Sequence, residues 1–352
     1  MSKRIVVDLF AGSGVGCAIQ ELGATEYGVE LMEAAVATRA ANGMETIYGD
    51  VWDAHLLADK IMRSDADAFI NHTLWASPPC QTFSQAGSGA GVKALKDVLK
   101  VIHSKKYLDM AELKAESKLL GDERIGLVLS PLHYAARFRP MFIAFEQVTP
   151  VLPVWEAMAT ELRELGYSVW AGILHAEQYG VPQQRKRAVL MARRDGGVAR
   201  PPSPTHSKYY NRNPSQLDAG VKRWVSMADA LGWGYVNRPS NTVCGVSSHA
   251  VGDSEWGGAP ARKALRDAAD SGNAASWMPN ANAAGRKANG NVCVTPSESA
   301  ALQTYPKGFQ FSGNRTQQFL QVGNAVPRLL ATAILKELWS SPGKATVLEQ
   351  VA

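Results

Sequence analysis

The chain has 352 residues, 46% of them hydrophobic and 20% charged, and carries a net charge of +5. Such a length and composition suit a globular protein with a large core, in one big domain or two smaller ones. The four cysteines are far apart with no C-x-x-C pair, and no stretch of about 18 apolar residues occurs, which argues against a disulfide framework, a zinc site and a membrane span. The start, MSKRIVVDLF, lacks the apolar core of a signal peptide, and a reducing cytoplasm suits the thiols.

The first β-branched run, RIVVDLF, reads as a strand that runs into the glycine loop AGSGVG and then into a helical pattern, VGCAIQEL, stopped at Gly23. The strand YGVE, the helix MEAAVATRAAN stopped at Gly43, and IYGDV complete a β-α-β-α-β series, which argues for a parallel, doubly wound sheet. Glycines at 12, 14 and 16 would let a ligand approach the backbone at a helix N-terminus. Glu30, 18 residues after Gly12 at the end of the second strand, suits ribose hydroxyls. The third glycine of a dinucleotide fingerprint would fall at Cys17, which demotes a nicotinamide enzyme. Asp50 closes the third strand, where its carboxylate could take an adenine amino group. Together these residues point to an adenosine ligand without a pyrophosphate, and S-adenosylmethionine is the obvious candidate.

Further along, TLWAS reads as a strand leading into WASPPCQT. Two prolines fix an extended, turning backbone, so Cys80 sits on a loop, where either a small structural thiol or a catalytic one is at home. The stretch 89–121 is charged and partly helical and reads as a mobile crossover. Strands follow at MFIAFEQV, YSVWAGIL and RAVLMARR, with helices at GLVLSPLHYAARF and LPVWEAMATELRELG. His72, His103 and His133 have no metal-like spacing and read as surface or core residues.

Between RRDGG and NVCVTP the texture changes. Residues 196–294 hold eleven Lys/Arg against six Asp/Glu, so the whole net charge falls within them. Many turn formers and weak periodicity suggest irregular loops and short strands. This is either a solvated insertion or a basic surface for nucleic acid. A last helix begins near Pro327.

Six segments, DLFAGSGVG, PPCQTFSQ, FEQV, YGVPQQRKR, LQTYPKGFQF and QVGNAVP, occur in the order and spacing of the cytosine-C5 DNA methyltransferases. The sequence resembles that family from residue 5 to about residue 336, with the basic segment where the family keeps its target recognition domain. One departure is Glu146-Gln147-Val148, where the family usually has Glu-Asn-Val. The resemblance implies an α/β fold, a doubly wound Rossmann-like methyltransferase sheet, with a second, smaller irregular recognition domain. Residues 1–195 would form the catalytic domain, 196–294 the recognition domain, and 295–352 the return to the catalytic domain.

The same resemblance assigns roles. Cys80 would add to C6 of a flipped-out cytosine, with Glu146, Arg185 and Arg187 completing the catalytic set. Asp8, Phe10, Gly12, Gly14, Glu30 and Leu31 would hold S-adenosyl-L-methionine together with Asp50, Val51, Pro79 and Asn324, leaving S-adenosyl-L-homocysteine as product and needing no metal. Read alone, Phe10 is as well explained by the core, and Asn324 by a helix cap. Gln81, Ser84 and Gln183 would face DNA, as would Arg238, Asn241 and Thr242 of the basic segment. The expected partners are double-stranded DNA and a cognate restriction endonuclease of the same system, and the expected form is a cytoplasmic monomer from a bacterium or phage. A tRNA methyltransferase and a catalytically silent DNA-binding relative are the two alternatives.

Overall fold

The computed structural model describes residues 4–341 except 66–68, 70, 80–82, 84–89, 121, 233, 234, 236 and 246–293, with backbone alone at 90 and 91. Strand β1 (Ile5–Leu9) leads through the glycine loop to α1 (Gly14–Glu21), followed by β2 (Thr25–Glu30), α2 (Glu33–Ala41), β3 (Thr46–Tyr48), α3 (Ala54–Ser64) and β4 (Thr73–Ala76). Five helices come next: α4 (Ala90–Lys93), α5 (Leu95–His103), α6 (Met110–Leu119), α7 (Glu123–Leu127) and α8 (Ser130–Phe138). Then β5 (Phe142–Gln147), α9 (Leu152–Glu164), β6 (Ser168–His175) and β7 (Lys186–Arg193) finish one sheet of order β3-β2-β1-β4-β5-β7-β6.

Period-two alternation sets the layers. Ile5, Val7, Leu9, Ile143, Phe145 and Leu190 face one side, against Leu57 of α3, Val98 and Ile102 of α5, Leu132 of α8 and Trp155 and Met158 of α9. Val6, Trp75, Ala144, Val189 and Met191 face the other, against Val15 and Ile19 of α1 and Leu330, Ile334 and Leu335 of the C-terminal helix. With both faces covered, the strands carry near-continuous apolar runs, as parallel sheets require. Each large side chain buried in this way is worth about 1.5–3 kcal/mol relative to exposure.

Two expectations need correcting. The sheet is not wholly parallel: β7 runs antiparallel to both β5 and β6. Only ten residues join β6 to β7, too few for a crossover, which takes about a dozen or more. The stretch 89–121 is more than a crossover with some helix. Its described residues form α4, α5 and α6, with Val98, Val101, Ile102 and Leu113 in the core. His72 and His133 are buried and His103 is exposed.

The described part of 196–245 has little regular structure, with isolated bridges pairing Gln183 with Ser240 and His206 with Lys222 and one short helix, α10 (Met227–Leu231). After it come α11 (Pro296–Leu302), α12 (Arg315–Asn324) and α13 (Arg328–Leu338). Three of these four helices open on capping boxes, Ser226 with Asp229, Thr295 with Glu298 and Asn314 with Gln317. Met227, Val243, Val294, Leu302, Phe319 and Val322 form a third core that reaches Cys17 of α1 and Met44.

Candidate active site

Strand order reverses between β1 and β4, where a doubly wound sheet opens a crevice at the carboxyl ends of its strands. A cavity of about 490 Å³ lies there, within the range of small-molecule sites. Phe10, Gly12, Gly14, Glu30, Leu31, Asp50, Val51, Pro79, Glu146, Arg185, Arg187 and Asn324 all line it. Twelve of the residues singled out from the sequence thus meet around one space.

The wall formed by β1, β2 and β3 carries two carboxylates. Glu30 Oε2 accepts from the Gly12 N–H at 2.8 Å, and its Oε1 accepts from the N–H groups of Leu31 and Met32 at 2.8 and 2.7 Å. Asp50 Oδ1 accepts from the Trp52 N–H. Phe10 has φ +60, a left-handed conformation rare for an aromatic residue, and Gly12 follows with φ +50. Backbone strain of this kind is held in place by its surroundings and clusters at functional sites. Gly14 answers a different need. A Cβ there would come within 2.5 Å of Val326 O, so the missing side chain admits the QVGNAVP segment as well as opening the cavity.

The opposite wall comes from β4, β5 and β7. Glu146, 4% exposed, is ion-paired with Arg187, whose Nε lies 2.8 Å from Glu146 Oε1. The diproline forms the adjoining edge: Pro78 and Pro79 line the cavity, Phe83 is buried in the core, and Cys80, Gln81 and Ser84 lie outside the described residues. Gln147 ties this edge down. Its Nε2 donates to Pro78 O and its Oε1 accepts from the Val148 N–H, each at 2.5 Å. Ser77 N–H donates to Leu9 O, so the loop is also fastened to β1.

Several singled-out residues lie away from the cavity or are held by protein partners. Asp8 does not line the cavity: it is fully buried beneath the glycine loop beside Glu26 and Arg39, and burial first, then the charge of Glu26, raises its carboxyl well above the usual range. Gln183, also fully buried, donates to Leu302 O and Gln303 Oε1 and accepts from the Val243 N–H. Thr242 Oγ1 donates to Gln184 O. Arg238 donates to Asn241 Oδ1 and stacks 4.5 Å from the Tyr235 ring centre. Asn324 ends α12 with its side chain exposed and does not cap α13, whose first turn follows Pro327. Arg185 faces the cavity, yet its Nη1 donates to Val243 O and its Nη2 to Gly323 O and Ala325 O, at 2.9–3.0 Å.

Gln147, singled out as the departure from Glu-Asn-Val, is thus a tether of the diproline loop, whereas residues missed from sequence include Ser13 and Arg124, which lines the cavity and is ion-paired with Asp122. Ser13 Oγ lies 2.7 Å from the hydroxyl of buried Tyr305, a bond across 292 residues that links the glycine loop to the third core. The tyrosine within LQTYPKG was its only signal. Among the described residues, no helix is long and apolar enough to cross a membrane.

Comparison with known proteins bears on this cavity. The chain is 26% identical over 321 residues to the type II methyltransferase M1.HphI of Haemophilus parahaemolyticus, covering 83% of this chain and 77% of that protein. It is 26% identical over 362 residues to the type II methyltransferase M.AplI of Arthrospira platensis, covering 96% and 86%. In fold it is similar to the Entamoeba histolytica methyltransferase EhMeth (TM-score 0.59, 16% identity, 96% of this chain and 98% of that one) and to a DNMT2 variant of Spodoptera frugiperda (TM-score 0.58, 17% identity, 96% and 100%). The family model of the C-5 cytosine-specific DNA methylases matches residues 114–340, which hold Glu146, Arg187 and the QVGNAVP segment. The chain belongs to that family and is a DNA cytosine-5 methyltransferase.

Proposed function

We propose that the protein methylates C5 of a flipped-out cytosine within a particular double-stranded DNA sequence, with Cys80 as nucleophile. The observation that carries this reading is a cavity with two carboxylate-bearing strand ends on one wall and the Glu146–Arg187 pair with the diproline edge on the other. The donor wall fits S-adenosylmethionine. Glu30 and Asp50, at neighbouring strand ends, offer acceptors for hydroxyls and an amine, Phe10 offers an apolar face, and Gly12 and Gly14 leave the backbone bare. When bound, that donor supplies an electrophilic methyl group; the product is S-adenosylhomocysteine.

The chain's own residues then do the rest. C5 of cytosine is a poor nucleophile until the Cys80 thiolate adds at C6 and pushes electron density into the ring. Glu146 hydrogen-bonds N3 and the exocyclic amine, stabilising the charge that develops there, while Arg187 holds Glu146 and reaches the base. Once C5 carries the methyl group, loss of its proton expels the thiolate and restores the aromatic ring. Flipping is required because C6 cannot be reached inside a stacked duplex.

Residues 196–294 serve as the recognition domain between two parts of the catalytic domain, 1–195 and 295–352. Their excess of positive charge suits phosphates, and Arg238, Asn241 and Thr242 suit groove contacts. The protein acts as a monomer in the cytoplasm of a bacterium or phage host, alongside a cognate restriction endonuclease. DNA containing 5-fluorocytosine tests the mechanism, because fluorine cannot leave as a proton and the adduct persists. The wild-type protein is expected to be trapped at Cys80, and Cys80→Ala to lose both trapping and methylation; an adduct at Cys17, Cys244 or Cys293 would overturn the assignment.

A further inference from the structure

Beneath the glycine loop lies a charged cluster that the reaction itself does not use. Arg39, on α2, is fully buried, as is Asp8 on β1, and the Glu26 carboxylate on β2 is 4% exposed. Arg39 Nη2 lies 2.9 Å from Glu26 Oε1 and donates to Glu45 O at 2.8 Å, Nε donates to Thr46 Oγ1 at 2.9 Å, and Nη1 donates to Gly12 O at 3.3 Å. Gly28 makes room for this fork, since a Cβ there would sit 2.1 Å from Arg39 Nη2. Burying a guanidinium is costly, and one that ends on a loop carbonyl needs a reason.

The reason lies in the Gly12 peptide. Its N–H donates to Glu30 Oε2 and its carbonyl accepts from Arg39, so Gly12 is gripped on both sides by charged groups from neighbouring elements. Phe10 just before it is in a left-handed conformation that the local sequence does not favour. Helix α2 is in turn pinned at its far end, where Asn42 donates to Gln310 O and accepts from the Gln310 N–H. The fork is thereby fixed in place. Burial, then the charge of Glu26, raises the Asp8 carboxyl well above the usual range, and burial raises that of Glu26 as well.

We propose that Arg39 is a positioning residue for the methyl donor: through Gly12 it fixes the 10–14 loop and the orientation in which Glu30 meets the donor. This rests on the reading that the donor occupies the cavity wall of β1, β2 and β3. A lysine at 39 keeps the charge opposite Glu26 but cannot make the fork, and Arg39→Met with Glu26→Gln replaces the ion pair by a neutral pair of similar volume.

Calorimetric titration with S-adenosylmethionine and hydrogen exchange of the peptide spanning Gly12 test the idea, with the melting transition as the check on folding. Arg39→Lys is expected to weaken donor binding about tenfold, within the range that a hydrogen bond to a charged group supplies, and to speed exchange at Gly12 while DNA affinity stays within about twofold. The double variant, where it folds, is expected to behave alike. Unchanged donor affinity and exchange in folded Arg39→Lys would overturn the proposal. Asp50→Ala separates the two readings. If it too leaves donor binding intact, the placement of the donor falls; if it weakens binding and Arg39→Lys does not, only the role of Arg39 falls.

Discussion

The two halves of the cavity are held by different means. The donor wall stands on the ends of β1, β2 and β3, and parallel pairing in fixed register sets where Phe10, Glu30 and Asp50 emerge. Glu146 and Arg187 on the opposite wall also stand on paired strands, but where that side adjoins residues 196–245 it has little such frame. There, side chains bind main-chain carbonyls across long sequence distances: Arg185 to Val243, Gly323 and Ala325, and Gln183 to Leu302. A Cβ at Gly323 would lie 2.0 Å from Gly245 N, so the two backbones touch where the segment crosses α12. A sheet spreads positional order over many weak bonds, whereas this seam concentrates it in a few.

That difference is exposed by removing Arg185. These three bonds end on buried carbonyls, and a hydrogen bond to a charged group is worth about 1.5–3 kcal/mol, so Arg185→Ala is expected to cost on the order of 4 kcal/mol and to lower the melting midpoint by about 5 °C. Donor binding to the folded protein should stay within about threefold, because Phe10, Glu30 and Asp50 belong to the other half. Loss of donor binding with an unchanged melting point would mean that Arg185 serves the ligand and not the seam.

The sheet carries a buried cost of its own, and a titratable one. His72 immediately precedes β4 and is 1% exposed, with Nδ1 3.0 Å from Phe69 O, and burial lowers its pKa from 6.5 to about 4. Because the folded state binds the proton more weakly than the unfolded chain, this contribution is intact above about pH 6.5 and is lost as the pH falls toward 4. The loss approaches about 3 kcal/mol at the acid end, with a limiting slope of about 1.4 kcal/mol per pH unit. Denaturant unfolding between pH 4.5 and 7.5 should show His72→Gln with a shallower slope than the wild type; equal slopes would remove His72 from the account.

The same contrast explains what could be read from the sequence. Period-two runs and glycine stops located β1 to β7, and the acids at strand ends fell where a doubly wound sheet puts them. Tertiary partners carry no such period. Asp8 and Phe10 sit in one short run and, two residues apart, would share a face of a continued strand, yet one is buried under the loop and the other lines the cavity, because β1 ends at Leu9 and the left-handed turn at Phe10 re-aims its side chain. Gln183 and Arg185 look like ligand groups in YGVPQQRKR, and their bonds to residues about 60 to 140 positions away have no local trace. Local signals also mark elements in this half. Thr295-Pro296-Ser297-Glu298 is a capping box with proline at the first helical position, and it opens α11.

The smallest expected effect concerns the place where the two halves meet the diproline. Gln147 departs from the family's usual asparagine, and its amide spans from the end of β5 to Pro78 O while its oxygen takes the Val148 N–H. Asparagine is shorter by one methylene, so Gln147→Asn keeps one of these bonds and lengthens or loses the other. A net hydrogen bond is worth about 0.5–1.5 kcal/mol, and the loop is also fastened by Ser77 N–H to Leu9 O. The rate of trapping by 5-fluorocytosine DNA should therefore change by less than about tenfold, equivalent to about 1.4 kcal/mol of barrier. Donor affinity should not move, since Gln147 makes no bond to the wall that carries Glu30 and Asp50. A fall in trapping beyond about a hundredfold would mean that Gln147 alone holds the nucleophile's loop, placing this edge with the concentrated seam around Arg185 instead of with the sheet.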